Sequence, residues 1–192
     1  MHPLQTLIKQ FSPINTKEWE LLYEKCTETT IRKGEFFIKK GRVETRIGFI
    51  LKGCFRQFYI TPKGEELSTY FFFEHNFISS YISCITGKAS LITIQAIEES
   101  TLLVFNYTVL EDLFKAYPNW QLFGRKIAEY LLIGTEDRMV GLLADNPEER
   151  YRKLLASTDK QKILERIPQQ YIANYLGITP ISLSRIRNRI NT

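Results

Sequence analysis

The chain has 192 residues, of which 44% are hydrophobic and 24% are charged, and its formal net charge is +5. This composition is typical of a folded protein and excludes an extensively disordered one. No apolar run exceeds four residues, whereas a membrane-spanning helix needs about 20. The N-terminus also lacks the pattern of a secretory signal, so we expect a cytoplasmic protein.

The positive charge is concentrated near the C-terminus. Residues 1–145 carry 17 basic and 17 acidic side chains, whereas residues 146–192 carry nine basic and four acidic ones. No acidic residue follows Glu165. Such an asymmetry is typical of a segment that binds a polyanion, although a solvated basic surface would give the same count.

The N-terminal part begins with a predicted helix over residues 14–26. Asn15 is suited to the N-cap, and Glu18 stands three residues later, which is the spacing of a capping box. From Thr27 onwards, runs rich in Ile, Phe, Tyr and Thr alternate with turn sequences at intervals of mostly 11 or 12 residues. These turns are KG at 33–34, KGR at 40–42, KG at 52–53, TPKG at 61–64, EHN at 74–76, TGK at 86–88 and EES at 98–100. This spacing predicts a β-sandwich or small barrel.

One hairpin is predicted within this β region. Residues 54–73, CFRQFYITPKGEELSTYFFF, contain two strand-like runs around a turn. The apolar residues Phe55, Phe58 and Ile60 break strict alternation by one position, which indicates a β-bulge.

The pattern becomes helical at Tyr107. A short helix over 107–117 is stopped by Pro118, and a long one over 119–145 is stopped by Asn146-Pro147. The long helix has too many apolar positions for one stripe, so we expect one face against the β domain and another against a second copy. Seven-residue repeats favour a coiled coil of undetermined register, and a long core helix of a monomer is the alternative.

Shorter helices are predicted after Asn146. One spans residues 147–157, residues 157–161 (STDKQ) form a linker, and two more span 168–176 and 179–191. The last pair fits a helix-turn-helix, because a tight crossing needs a small residue such as Ala173 and the turn needs Gly177. Thr179 can cap the second helix, and Pro180 suits its first turn.

The second helix of this pair presents a polar, cationic outer face on a helical wheel. An arginine can donate two hydrogen bonds to a guanine edge in the major groove, and we assign this role to Arg185. Arg187 and Arg189 lie on the flanks, where phosphate contacts are expected, and helix N-termini can also position phosphates. The predicted DNA-binding residues are Gln169, Gln170, Thr179, Ile181, Ser182, Arg185, Arg187, Asn188 and Arg189.

Catalysis and metal binding find little support. Cys26, Cys54 and Cys84 lie about 30 residues apart without a CxxC pair, so reduced, packed thiols are expected rather than metal ligands. The segment TGKAS lacks the glycine and hydroxyl residue of a phosphate loop. No catalytic residue, metal ligand or cofactor site is predicted.

The order of elements resembles the Crp/Fnr transcription regulators over nearly all of the chain. ITPISLSRI at 178–186 is similar to the recognition helix of that family, and residues 76–105 are similar to its ligand cassette. The resemblance implies an α+β fold in which a cyclic-nucleotide-binding-type β-roll, or jelly roll, spans 1–117. A dimerisation helix over 118–145 and a helix-turn-helix domain over 146–192 would follow.

The resemblance also implies partners. A homodimer formed through residues 118–145 would bind a near-palindromic operator, with recognition helices about 34 Å apart. RNA polymerase and an unidentified small-molecule effector are further partners of such regulators. No membrane contact is expected.

The cassette departs from members that bind cyclic AMP. These hold a Gly-Glu pair and, ten residues after the Glu, an Arg followed by a small hydroxyl residue, whereas this chain has Ser79-Ser80 and Ser90-Leu91. A cyclic phosphate would lack its countercharge, so cyclic AMP binding is not expected. A small apolar ligand is the alternative to a plain structural core, in a pocket formed by Phe77, Ser79, Ser80, Tyr81, Ser90 and Leu91.

Two further departures concern the DNA-binding part. The recognition helix starts with Pro180-Ile181 instead of a charged pair, so a different operator is expected. The sequence also ends at Thr192 without the β-hairpin wing of the family. An outward Ile181 leaves open a rival hypothesis, in which the β-roll binds a ligand or protein and the C-terminal helices mediate assembly.

Overall fold

A computed structural model describes residues 1–190. Two helices open the chain, α1 (Pro3–Phe11) and α2 (Thr16–Tyr23). Asn15 and Glu18 form the reciprocal bonds of a capping box at the start of α2, as predicted. Helix α1 was not anticipated. It buries Leu4 and Ile8 in the same apolar cluster as the start of the long helix.

The β domain consists of two antiparallel four-stranded sheets, which confirms the predicted α+β fold. Its strands are β1 (Thr27–Ile31), β2 (Phe36–Ile38), β3 (Arg46–Lys52), β4 (Phe55–Ile60), β5 (Glu66–Phe72), β6 (Phe77–Ile78), β7 (Ile92–Ala96) and β8 (Ser100–Asn106). The strand orders are β1-β8-β3-β6 and β2-β7-β4-β5. Strands β4 and β5 form the predicted hairpin, and their register shifts between Gln57 and Phe58, which is the predicted bulge. One short helix, α3 (Tyr81–Thr86), lies within the cassette and was not expected.

Two helices follow the sheets, α4 (Tyr107–Ala116) and α5 (Pro118–Ala144). Both lie within one residue of the predicted bounds, and Pro118, which was predicted to stop the preceding helix, also occupies the first turn of α5. Trp120 and Phe123 are buried at the start of α5. Further along, α5 exposes the apolar side chains Tyr130, Leu131, Leu132, Ile133, Met139, Val140, Leu142 and Leu143. None of the helices in residues 1–190 is long and apolar enough to span a bilayer.

The C-terminal helices are α6 (Pro147–Ala156), α7 (Lys160–Arg166), α8 (Gln169–Tyr175) and α9 (Pro180–Ile190). Helix α7 corrects the predicted linker over 157–161, because its first turn begins at Lys160 and Ile163 is buried. The predicted last helix extended to Asn191, which lies outside the described residues.

Candidate nucleic-acid interface

The turn between α8 and α9 has the features that the sequence predicted. Gly177 adopts φ +70°, a left-handed conformation that favours glycine. The N–H of Ile178 donates to the carbonyl of Ala173, which is fully buried where the two helices cross. Thr179 Oγ1 accepts a hydrogen bond from the N–H of Ser182 at 3.2 Å, as an N-cap residue does. The two helices are therefore fixed at one angle by local contacts.

One face of α9 is buried against α8 and the neighbouring helices. Leu183 and Ile186 pack in one cluster with Ile172 and Leu176. Because these positions alternate at helical spacing with polar ones, the opposite face of α9 must point to solvent. Ile181, Ser184, Arg185, Asn188 and Arg189 are indeed exposed.

The three arginines of α9 have different surroundings. Arg187 donates through Nη1 to Oε1 of Gln169 at 2.8 Å, so two predicted DNA-binding residues contact each other. Arg189 lies 3.6 Å from a carboxylate oxygen of Glu148. Arg185 is exposed and has no hydrogen-bond or ion-pair partner within residues 1–190. Arg185 is therefore available to an incoming anion without breaking an internal contact.

Other arginines are used to hold α8 in place. Arg138 of α5 donates to the carbonyl of Tyr175, and its guanidinium carbon lies 3.6 Å from the centre of that ring. Arg150 of α6 donates through Nε to the carbonyl of Leu176 at 3.0 Å. Both cations thus satisfy carbonyls at the C-terminal end of α8, where the helix dipole favours positive charge.

The end of α7 is tied to the β domain by an arginine between two carboxylates. Arg166 donates to both carboxylate oxygens of Glu74, each at 2.8 Å, and to Glu98. Burial raises the pKa of Glu74, but the hydrogen bonds and charge of Arg166, together with the N–H of Gly53, outweigh burial and lower the pKa to about 2. Gly53 has φ +110°, and an added Cβ would lie 2.7 Å from Cα of Ser100. This position is therefore restricted to glycine.

Helix α8 is fastened to the β domain by Arg56 and Asn174. The guanidinium of Arg56 lies between two rings, 4.1 Å from the centre of Phe58 and 3.9 Å from that of Tyr171. It also lies 2.6 Å from a carboxylate oxygen of Glu66. The side chain of Asn174 accepts from the N–H of Ser68 and donates to the carbonyl of Glu66 at 2.6 Å. Sequence analysis missed these contacts, and the one available signal was an arginine flanked by phenylalanines in a predicted strand.

Gln170 lies on the side of α8 that faces the β domain. It lines a cleft of about 620 Å³ together with Arg56, Glu66 and Tyr171. Gln169 and Gln170, which were both predicted to bind DNA, therefore lie in different surroundings. Thr179 and Ser182 lie at the exposed start of α9 and bond to each other.

The six residues of the predicted ligand pocket are distributed over core and surface. Phe77 packs on Phe49 with ring centres 5.4 Å apart, and Tyr81 meets Tyr107 edge-on at 5.7 Å. Ser79 donates to the carbonyl of Arg46. Ser80 and Ser90 are buried, whereas Leu91 is exposed. None of the six lines the cleft at α8 or the groove described below.

Metal-binding geometry is absent from the described residues. Within residues 1–190, no group of three or more His, Cys, Asp or Glu side chains could hold a metal ion. Cys54 is fully buried, and burial, followed by the charge of Glu98, raises its thiol pKa to about 12. The three cysteines form no disulfide.

The sequence is similar to a known protein domain and to known regulatory proteins. Residues 28–117 match the family described as the cyclic nucleotide-binding domain. The fumarate and nitrate reduction regulatory protein of Vibrio cholerae is 25% identical over 168 residues, which cover 83% of this chain and 66% of that protein. The chain thus spans just under two thirds of the length of this relative.

Solved structures share the fold. The structure of FixK2 from Bradyrhizobium japonicum superposes with a TM-score of 0.73 at 18% identity, covering 86% of this chain and 84% of FixK2. A protein from Eubacterium rectale, described as a regulator of the Crp/Fnr family, gives a TM-score of 0.72 at 16% identity, covering 93% of this chain and 84% of that one. The fold defined here is a cyclic-nucleotide-binding-type β-roll joined by a long helix to a helix-turn-helix. The chain therefore shares its fold with a solved structure described as a regulator of the Crp/Fnr family, and its β domain matches the cyclic nucleotide-binding domain.

Proposed function

We propose that this chain is a sequence-specific, DNA-binding transcription regulator of the Crp/Fnr type. The observation that carries the proposal is the outward face of α9, where Arg185 is exposed and has no partner among residues 1–190. A helix with this face fits the major groove, and a guanidinium there can bridge O6 and N7 of guanine. The names of two similar proteins support the proposal: the Vibrio cholerae relative is called a regulatory protein, and the Eubacterium rectale protein is described as a transcriptional regulator.

The regulator acts as a homodimer through residues 118–145. Eight apolar side chains of α5 are exposed in the single chain, and a second copy would cover them. Leu132 and Met139 lie seven residues apart on the most exposed side, as the seam of a helix pair requires. In Met139→Asp, a charge would enter this seam, so the mass measured by analytical ultracentrifugation would fall from dimer to monomer. Asp137→Asn is the control, since Asp137 lies away from Leu132 and Met139 on the helix.

Cyclic AMP is not the effector of this regulator. The chain offers Ser79-Ser80 and Ser90-Leu91 where family members that bind cyclic AMP hold a carboxylate and an arginine, so the ligand would lack its charge partner. Calorimetric titration with cyclic AMP should give no saturable heat at millimolar nucleotide. A dissociation constant in the micromolar range would contradict this part of the proposal.

DNA binding can be tested by selecting bound fragments from genomic DNA. In this proposal the regulator and the genomic DNA are both in the cytoplasm. The purified dimer should enrich a two-fold symmetric motif, and the affinity for it should fall steeply between 50 and 200 mM salt. Recovery of no motif, together with affinity no better than for random duplex at low salt, would exclude the proposal. Adding RNA polymerase to the recovered promoter would then show whether the regulator recruits or blocks it.

A second function has one observation in its favour. Ile181 is 67% exposed at the start of α9, where the family carries charge, and an exposed isoleucine suits a protein interface. In this alternative, α8 and α9 mediate assembly instead of DNA contact. Salt separates the two hypotheses, because an interface centred on Ile181 would be insensitive to salt and would be lost in Ile181→Ser.

A further inference from the structure

A groove of about 510 Å³ lies on the β domain, away from α8 and α9. Strand β2 and the segment leading into β3 form it, with lining residues Phe36, Phe37, Lys39, Arg42, Val43, Glu44, Thr45 and Arg46. Its volume is that of small-molecule sites, which span roughly 300 to 1,000 Å³. None of the residues of the predicted ligand pocket contributes to it.

The groove has exposed apolar walls. Phe36 is 40% exposed and Val43 is 58% exposed, whereas Phe37 is buried beneath them. Lys39 Nζ lies 4.8 Å from the centre of the Phe36 ring, and the guanidinium of Arg46 lies 5.0 Å from that of Phe37. Each ring therefore already carries a cation at its face or edge.

The charges in the groove do not balance. Glu44 is its one carboxylate, and Arg46 occupies it through Nε and Nη2, each at 2.8 Å. The N–H groups of Thr45 and Arg46 donate to the same carboxylate. Lys39 and Arg42 have no ion-pair partner within residues 1–190. Two exposed cations therefore remain beside two exposed apolar side chains.

We propose that this groove binds a small organic anion with a flat apolar body. The anionic head meets Lys39 and Arg42, and the body lies against Phe36 and Val43. A polyanion such as DNA does not suit it, because the apolar walls would remain unused. A neutral apolar molecule does not suit it either, because it would desolvate two cations without compensation.

The groove adjoins the start of the helical segment that leads to α5. The carbonyl of Thr45 accepts from the N–H of Tyr107, the first residue of α4, at 2.7 Å. The side chain of Asn106 donates to Thr45 Oγ1 at 3.1 Å. A bound anion would thus contact residues adjacent to the start of α4, the helix that precedes the proposed dimerisation helix α5. This link to regulation rests on the proposed function, whereas binding in the groove does not.

Three probes test the groove by amide NMR on the full chain without DNA: phenyl phosphate, benzoate and inorganic phosphate. Phenyl phosphate or benzoate, or both, should shift the amides of residues 36–46 saturably, and the one that binds identifies the head group. Inorganic phosphate should bind at least tenfold more weakly. Shifts outside the groove alone, or equal affinity for inorganic phosphate, would overturn the proposal.

Variants test the cationic and the apolar side chains of the groove separately. Lys39→Gln combined with Arg42→Gln should weaken binding of the aromatic probe at least fivefold, whereas Lys9→Gln combined with Lys63→Gln removes equal charge elsewhere and should leave it unchanged. Phe36→Ala should weaken the aromatic probe and not inorganic phosphate. Unaltered binding in the groove variants refutes the site. Because no DNA is present, failure of the regulator proposal would leave this result intact.

Discussion

The two helices of the helix-turn-helix differ in what surrounds them. Helix α8 contacts the β domain through Tyr171 and Asn174, and Arg138 and Arg150 satisfy carbonyls at its C-terminal end. Helix α9 buries Leu183 and Ile186 and exposes most of its remaining surface. One helix is therefore fixed to the rest of the molecule so that the other can be presented to solvent at a defined angle.

The largest loss of stability is expected from disrupting the packing between α8 and α9. Leu183→Ala removes a buried side chain between α8 and α9, so it should cost about 2 to 5 kcal/mol of unfolding free energy. Urea denaturation measures the loss, and operator binding should disappear with it. The exposed Ile181 is the matched control, since Ile181→Ala should change stability by less than about 0.5 kcal/mol. Equal losses would show that α9 is not packed as described.

A smaller loss of stability is expected from removing the ion pairs that join α7 to the β domain. Arg166→Gln leaves Glu74 and Glu98 without their cation, which should cost about 2 kcal/mol at pH 7. The pKa of Glu74 is lowered in the folded state, so its stabilisation is complete above the unfolded pKa of about 4.3 and is lost as the pH falls towards 2.

Unfolding curves between pH 6 and pH 2 measure this contribution. Wild-type stability should fall more steeply below pH 4.3 than that of Arg166→Gln. Arg152→Gln removes an exposed pair with Glu148 and should alter neither stability nor its pH dependence by much. Parallel curves for wild type and Arg166→Gln would contradict the assignment.

The outward face of α9 is tested by two arginine variants. Arg185→Ala should weaken operator binding by about 1 to 3 kcal/mol and relax the preference at one base position. Arg187, which donates a hydrogen bond to Gln169, should contact the phosphate backbone of DNA. Arg187→Ala should therefore weaken binding to all DNA sequences alike. Selection of bound sequences with each variant distinguishes the two, and an unchanged preference in Arg185→Ala would exclude base contact.

The smallest effect is expected at Asn174. Asn174→Ala removes the bonds to Ser68 and Glu66 and should cost about 1 kcal/mol. Hydrogen exchange of the Ser68 amide should accelerate, while that of β8 amides stays unchanged. Unchanged protection of Ser68 would mean that the contact does not form in solution.

Local signals explain what the sequence predicted of the fold. The capping box of Asn15 and Glu18, the bulge near Phe58, the ends of α5 and the turn at Gly177 all depend on residues a few positions apart. Helices α1, α3 and α7 were missed because none of them starts with a capping box such as that of Asn15 and Glu18, and helices of this length gain their stability from tertiary packing rather than from propensity. Ile163, for example, is buried by elements that the periodicity of residues 157–161 does not reveal.

The candidate interface was predicted in part, because part of it also depends on residues that are close in the sequence. The exposed face of α9 follows from helical geometry, so the exposure of Ile181, Arg185 and Asn188 agrees with the helical wheel. Their contact with DNA stays a prediction. The contacts of Arg166 with Glu74 and of Asn174 with Ser68 join residues about 100 positions apart. No pattern within one segment could have indicated them.

The position of Asn174 has a consequence for association between chains. Strand β5 ends its sheet, and an end strand offers unpaired N–H and C=O groups to any extended segment nearby. The amide of Asn174 occupies such groups at Ser68 and Glu66, and the rest of α8 covers the strand. Helix α8 thus protects the β domain from strand addition and aggregation, and a β domain separated from its C-terminal helices would expose β5 to self-association.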